Sequence, residues 1–422
     1  MIKYKGKKVA ILGVGVDTKD IVPWLEVQGA VITIVDENAR KLEEFEGIFQ
    51  VKNSLDRLNN FDVIVRNPAV YRFRKEIVEA EKAGVEVTSK TKVFFDICPA
   101  KIIGVTGTKG KGTTATLIYE IFKAAGKEVY IGGNIGEGVF HLLPKLKKNS
   151  WVVLELSSFQ LIDLHKSPRI AVVLMVTSEH LNWHRDEKEY VDAKKSIVAH
   201  QKSSDFAIVN KDYPNSVEIG KTARGKVVWV SSKDVGDIGE VKLRGDHNRE
   251  NIAAAMAVAR VVGISQSVVE DTIRNFKGLE HRLEEVRTVN GITFYNDSFS
   301  TTPETAIAAV KSFTEPEILI LGGSSKNSDF TELGKVVSEA KNIKTVIVIG
   351  DEGPKIAKSI SGVMVKEGVG GMEKIVDLAY NQAKSGDVVI LSPACASFDM
   401  FKNYKDRGEQ FKAAIKKLKV KS

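Results

Sequence analysis

The sequence predicts an α/β protein of three domains, each built on a parallel sheet covered by helices. Two observations predict it. Short β-branched apolar runs alternate with helix-like stretches across short glycine-bearing connections. The 422 residues, 43% apolar and 27% charged, are also enough for about two to four domains with cores of their own. In chain order, Val9–Leu12, Val31–Val35 and Val63–Val65 read as strands, with helices near 18–28 and 74–83. A second series takes in Ile102–Val105, Val129–Ile131, Trp151–Glu155 and Ile170–Val176. The third follows a hairpin, Val286–Val289 with Ile292–Tyr295, and continues through Ile318–Leu321, Val346–Ile349 and Val388–Leu391. Apolar throughout rather than alternating, such runs suit strands buried on both faces. The stretch Lys92–Lys101, with Pro99, and a break at Gly278–Arg282 set expected domains at 1–92, 93–280 and 281–422.

Composition narrows the function. No apolar run approaches the roughly 20 residues of a membrane span, and the start MIKYKGKK leads into a strand rather than a signal-peptide core. Cys98 and Cys395 are too few and too far apart for a disulfide framework, so a cytoplasmic protein is expected, as a monomer. The net charge of +8 sits at the ends: Lys3, Lys5, Lys7, Lys8, Lys412, Lys416, Lys417, Lys419 and Lys421 lie in segments without acids. Without those nine, 53 basic residues face 54 acidic ones, so no nucleic-acid partner is expected.

The strongest local signal is Ile103–Thr114, a strand running into a glycine-rich turn and a helix. Its backbone N–H groups suit phosphate oxygens, and Lys111 reaches towards them. The strict P-loop pattern fails twice, because Val105 stands at the first glycine position and Gly112 replaces the hydroxyl residue after the lysine. Glu155 ends an apolar strand, where a carboxylate could hold magnesium or simply be solvated. His180 follows another strand as a metal ligand or a surface histidine. Lys194 beside Lys195 has the plain reading of an exposed pair. The turn Gly13-Val-Gly15, with Asp36 ending the next strand, is a shortened dinucleotide fingerprint, since Thr18 replaces the third glycine. No Ser–His–Asp arrangement stands out.

Two long phrases, Leu154–Gln160 (LELSSFQ) and Ser392–Tyr404 (SPACASFDMFKNY), together with the phosphate loop, resemble the Mur ligases over nearly the whole chain. The D-glutamate-adding members are the most similar. The resemblance implies a Rossmann-like UDP-sugar-binding domain (1–92), a central P-loop-type ATP-binding domain (93–280) and a Rossmann-like amino-acid-binding domain (281–422). It implies ATP and magnesium as cofactors, with UDP-N-acetylmuramoyl-L-alanine and D-glutamate as substrates. The reaction would pass through an acyl phosphate; the alternative is a related ligase with another amino acid or acceptor.

Residue by residue, the resemblance gives Lys111 and the loop Gly107, Thr108, Lys109, Gly110, Gly112 and Thr113 to ATP phosphates. Glu155, His180 and a carbamylated Lys194 match magnesium ligands, with Thr113 as a further candidate. Asn248, Asn251, Arg282 and Asp297 match nucleotide contacts. Gly13, Val14, Gly15, Val16, Asp36 and Asn134 match the UDP-substrate region, and Thr301, Lys326, Ser397 and Tyr404 the D-glutamate pocket. Read alone, Asn248 could instead cap the helix after it. Four departures from the family pattern stand out: Gly112, Asp17 in the turn facing a diphosphate, Arg66-Asn-Pro-Ala69 for a more usual Ser-Pro-Gly, and Phe299 for a frequent lysine.

Overall fold

The computed structural model describes residues 3–47, 49–134, 138–180, 183–325 and 328–419. They fall into two compact units, residues 1–238 with 249–273, and residues 239–248 with 274–422.

The first unit contains two sheets. Strands β1 (Lys8–Leu12), β2 (Val31–Val35), β3 (Gln50–Lys52), β4 (Val63–Arg66) and β5 (Glu86–Ser89) pair in parallel in the order β3-β2-β1-β4-β5. The central strand β1 shows why the run is apolar at every position. Val9 and Ile11 face one core with Ile21, Leu25 and Val93, while Ala10 and Leu12 face another with Ile64, Ile77 and Val87. Each fully buried Val, Ile or Leu contributes roughly 1.5–3 kcal/mol, so a sheet covered on both sides is strongly held.

The second sheet comprises β6 (Lys101–Thr106), β7 (Val129–Gly133), β8 (Trp151–Glu155), β9 (Ile170–Val173), β10 (Phe206–Asn210) and β11 (Lys226–Val230). Their order is β11-β10-β9-β6-β8-β7, again all parallel. Because β6 lies between β9 and β8, its C-terminal end opens beside Glu155 and beside the chain leading to His180. Ligand sites of open parallel sheets form at such ends. The expected strand Ile170–Val176 stops pairing at Val173 for a local reason. Leu174 N–H bonds to Thr106 O (2.9 Å), and Met175 O accepts from Thr108 N–H (2.6 Å), so this segment braces the phosphate loop.

The second unit holds β12 (Glu284–Val289), β13 (Ile292–Asn296), β14 (Glu317–Gly322), β15 (Ile343–Ile349), β16 (Met364–Glu367) and β17 (Val388–Leu391). The order is β12-β13-β17-β14-β15-β16, with only β12 antiparallel to its neighbour. The hairpin turns at Asn290-Gly291, both at positive φ (51° and 76°), the conformation a two-residue turn between twisted strands requires. The α/β class and the three mainly parallel sheets match the expectation. Strands β3, β5, β10, β11 and β16 were not expected; all but β10 are edge strands, and all five carry polar or charged residues beside the apolar ones.

Candidate active site

The phosphate loop joins β6 to the helix Lys111–Ala124. Gly110 precedes that helix at φ +84°, and a Cβ there would lie 2.2 Å from Asn251 Oδ1, so backbone angle and space both demand glycine. Asn251 Oδ1 also accepts from Thr114 Oγ1 (3.1 Å), which fixes the asparagine against the loop. The Thr108 hydroxyl lies 3.0 Å from Thr177 O and 2.8 Å from Tyr190 OH. Lys111 Nζ folds over the loop to Gly107 O (3.1 Å) and Thr108 O (3.0 Å), while Lys109 pairs with Glu179 (2.7 Å) at the surface. Gly112 and Thr113 are buried in the first helical turn.

The structure overturns the plain readings of Lys194 and Glu155. Lys195 is the outward partner, pairing with Asp192 and Glu218, whereas Lys194 is 1% exposed. Its Nζ donates to Gly107 O (3.1 Å) and Thr106 Oγ1 (3.3 Å), sharing the Gly107 carbonyl with Lys111. Burial, then repulsion from Lys111, pushes the Lys194 pKa well below its ordinary 10.5, against the pull of Glu179 and Glu155. Glu155 is buried as well, at 6% exposure, with Asn134 Nδ2 3.5 Å from its carboxylate. Gly133, at φ +95°, lets the chain pass Glu155, where a Cβ would come within 2.3 Å of the carbonyl oxygen. Asn134 N–H bonds to that carbonyl at 3.0 Å. His180 adopts φ +59°, an uncommon conformation for a residue with a side chain. Burial lowers its pKa, and the charges of Lys111, Lys194 and Lys109 add to this, while Glu179 opposes. The shift favours the neutral imidazole, the form that binds a metal.

Glu155, His180 and Lys194 thus share one electrostatic neighbourhood at the C-terminal end of the second sheet. A buried carboxylate and an imidazole fit a divalent cation, and the lowered pKa of Lys194 favours the unprotonated amine, the form that reacts with carbon dioxide to give a carbamate oxygen donor. Among the described residues, Glu280, His281 and Glu409 form a His/Glu cluster of a size to hold a metal. Lys412 Nζ already fills it, 3.1 Å from Glu280 and 2.7 Å from Glu409.

The N-terminal turn is closed by its own residues. Asp36 accepts from Val14 N–H and Asn38 N–H (both 2.8 Å), and Thr18 Oγ1 donates to Gly13 O (2.7 Å). Gly13 has φ +86°, Gly15 precedes the helix Val16–Val27, and Val16 opens it. The Asp17 charge that faces the turn is answered by the buried Lys90, which contacts Asp17 and lies 3.2 Å from Asp20. Asp20 in turn accepts from Val139 N–H (2.8 Å) and Phe140 N–H (3.2 Å). Arg66 is fully buried and donates to the carbonyls of Asn67 (3.2 Å), Pro68 (3.2 Å), Val70 (2.7 Å) and Phe159 (2.8 Å), with Asp163 3.3 Å away. The Arg66–Ala69 departure therefore gives a loop gathered around a guanidinium.

In the second unit, the buried Asp297 accepts from Ser392 Oγ (2.7 Å) and Leu283 N–H (3.1 Å), and burial raises its pKa to about 7. Arg282 lies over the Phe299 ring, 3.8 Å from its centroid, and Tyr404 packs edge-on against the same ring at 5.0 Å. Phe299 thus turns a position often held by lysine into a stacking platform. Arg407, also fully buried, donates to the carbonyls of Ser298 (2.9 Å), Cys395 (3.1 Å) and Ala396 (3.2 Å). It gathers the segments that carry Thr301, Ser397 and Tyr404. Lys326 lies outside the described residues. Asn248 does not cap: it sits inside the helix Asp246–Val262, and its amide donates to Arg244 O (2.6 Å).

Sequence reasoning missed Lys90, Arg407 and the linked side chains Ser158, His184 and Glu189. Ser158 Oγ lies 2.8 Å from His184 Nε2, and His184 Nδ1 lies 3.3 Å from Glu189 Oε1. A Ser–His–Glu row therefore exists after all, but Ser158 is 1% exposed, which excludes it as a nucleophile open to substrate. The spacing of His180 and His184 before a helix with Glu189 was the available signal.

Residues 105–238 match the family described as Mur ligase middle domain, and residues 281–395 the Mur ligase glutamate ligase domain. The UDP-N-acetylmuramoylalanine--D-glutamate ligase of Acetivibrio thermocellus is 39% identical, covering 99% of this chain and 98% of that protein. The protein of that name from Clostridium tetani is 37% identical over 98% of this chain and 97% of its own. Among solved structures, the MurF ligase of Thermotoga maritima in complex with ADP superposes with a TM-score of 0.61 at 19% identity, covering 98% of this chain and 96% of that chain. The UDP-N-acetylmuramate-alanine ligase MurC of the same organism gives 0.58 at 17% identity, over 97% of this chain and 99% of that one. At these identities the structural matches speak for the fold alone.

Proposed function

The chain belongs to the Mur ligases, ATP-dependent amide-forming enzymes, and from that premise we propose that it joins D-glutamate to UDP-N-acetylmuramoyl-L-alanine in the cytoplasm. The observation that carries this reading is the 39% identity, across both whole chains, to a protein named for that reaction. We assign residues 1–92 to the UDP-sugar, 93–280 to ATP and 281–422 to the amino acid.

The chemistry follows from charge. A carboxylate of the UDP-substrate must attack the γ-phosphorus of ATP, so two anions have to meet. Lys111 and the N–H groups from Gly107 to Thr113 neutralise and orient the phosphates. Glu155, His180 and the carbamate of Lys194 are the residues to hold magnesium, which supplies further positive charge against phosphate oxygens when bound. Asn248, Asn251, Arg282 and Asp297 hold the nucleotide. The turn Gly13–Val16, Asp36 and Asn134 hold the UDP-substrate, and Thr301, Lys326, Ser397 and Tyr404 hold D-glutamate. Carboxylate attack gives an acyl phosphate and ADP. The D-glutamate amine then adds to the carbonyl carbon, the C–O bond to phosphate breaks, and the amine proton is released. No protein nucleophile takes part; the gain comes from positioning and fixed charge.

A phosphate-release assay with each component omitted in turn tests the reading. Release is expected to require ATP, the UDP-substrate and D-glutamate together, with L-glutamate giving little. Equal release without acceptor or donor refutes a ligase, and a strong preference for another amino acid moves the chain to a sister activity.

A further inference from the structure

Three side chains that the reaction does not use lie within five residues of the three assigned to magnesium. Ser158 follows Glu155 by three residues, His184 follows His180 by four, and Glu189 precedes Lys194 by five on the helix Glu187–Ala199. The three are hydrogen-bonded in a row, Ser158 Oγ to His184 Nε2 at 2.8 Å and His184 Nδ1 to Glu189 Oε1 at 3.3 Å. All are buried, with exposures of 1%, 2% and 8%. A carboxylate only accepts, so His184 carries its proton on Nδ1 and leaves Nε2 to accept from the Ser158 hydroxyl.

We propose that Ser158, His184 and Glu189 are positioning residues that hold the carriers of Glu155, His180 and Lys194 in register for the cation. The inference rests on the assignment of those three to magnesium. Each member of the row lies on the same chain segment as one of the three. His184 N–H donates to His180 O (3.0 Å), which ties the row to the residue at φ +59°. Glu189 Oε1 also accepts from Arg185 N–H (3.2 Å), and Glu189 Oε2 accepts from Tyr71 OH (2.8 Å), so the row is also anchored from the loop that follows β4. Phe159 stacks on the His184 ring at 5.6 Å and Trp183 packs edge-on against it at 4.6 Å, leaving the imidazole no freedom to turn. Groups that orient metal ligands in this way typically change metal affinity by about 10- to 100-fold when removed.

The test titrates Mn2+, as a stand-in for magnesium, into the full-length protein and follows free Mn2+ by electron paramagnetic resonance. The variants are His184→Phe, which keeps the aromatic stack, Ser158→Ala, Glu189→Gln and, as a control on the magnesium assignment, Glu155→Ala. Thermal melts identify any variant that has lost its fold; if His184→Phe has, the two milder variants carry the test. The proposal expects Glu155→Ala to abolish binding and the folded row variants to weaken it by about 10- to 100-fold. It also expects a higher KM for magnesium in phosphate release, with kcat recovered at saturating metal. If Glu155→Ala abolishes binding while every row variant binds like wild type, the positioning role is overturned and the magnesium assignment stands. If Glu155→Ala itself binds like wild type, the assignment fails and takes the inference with it.

Discussion

Replacing Lys194 by methionine should stabilise the fold and abolish the reaction. The methionine loses the hydrogen bonds to Gly107 O and Thr106 Oγ1, but neither partner is orphaned. Gly107 O keeps Lys111 Nζ at 3.1 Å, and the Thr106 hydroxyl keeps Leu156 O at 2.8 Å. That loss is about 1 kcal/mol per bond. Against it stands a fully buried amine beside a second lysine; taking such a charge out of water costs several kcal/mol. We expect Lys194→Met to gain on the order of 1–3 kcal/mol at pH 7 once those opposing terms are combined. The sign of the pH dependence follows from the lowered pKa. Below 10.5 the unfolded chain protonates Lys194 while the folded chain resists, so wild-type stability rises with pH towards that value and the variant's advantage shrinks. Urea unfolding in metal-free, bicarbonate-free buffer at pH 7 and at pH 9.5, with phosphate release measured alongside, reads both effects. A variant less stable than wild type at pH 7, or an advantage that grows with pH, refutes the electrostatic reasoning; an active variant refutes the role.

Gly110→Ala should cost about 1–2 kcal/mol for the left-handed backbone alone, and more from the clash with Asn251 Oδ1. Urea midpoints and the KM for ATP should both shift, and an unchanged pair would show that the loop relaxes freely. Lys90→Met strips the counter-charge from Asp17 and Asp20, so the KM for the UDP-substrate should rise about tenfold or more while that for ATP holds. The double change Lys90→Met with Asp17→Thr should recover part of the loss; no recovery would mean that charge balance is not what Lys90 supplies. Asp297, raised to about 7 from 3.8, binds its proton more tightly in the folded state, so its contribution is full below about pH 4 and lost as pH rises through about 7. Wild-type stability should therefore fall relative to Asp297→Asn across that window, and parallel urea midpoints at pH 4.5 and 7.5 would contradict the shift.

The legible parts of the molecule were those written locally. Apolar runs such as Val9–Leu12 and Trp151–Glu155 announce buried parallel strands, and Gly110 announces a left-handed turn before a helix. Strands such as Glu86–Ser89 and Met364–Glu367 escaped because edge positions tolerate charge and alternate only weakly. Lys194 was found through a family motif and would have been passed over by spacing, because its burial depends on the packing of a helix over the phosphate loop. Lys90 and Arg407 left no sequence signal of their role, since their partners are carbonyls and carboxylates brought in from distant segments, and Arg66 combines the carbonyls of its own turn with the distant Phe159 and Asp163. The departure at Arg66–Ala69 was visible, but that a guanidinium would gather four carbonyls there was a tertiary fact. The same holds for Phe299, whose meaning depends on Arg282 and Tyr404 reaching it from elsewhere in the chain.

The central claim is that ATP activates the carboxylate of the UDP-substrate before the amine attacks. Supplying UDP-N-acetylmuramoyl-L-alanine labelled with oxygen-18 in that carboxylate, with ATP and D-glutamate, and weighing the released phosphate by mass spectrometry tests it directly. One labelled oxygen per phosphate, in step with amide product, is the predicted result, because the carboxylate oxygen that attacks phosphorus leaves with it. Unlabelled phosphate released at the same rate would contradict the account.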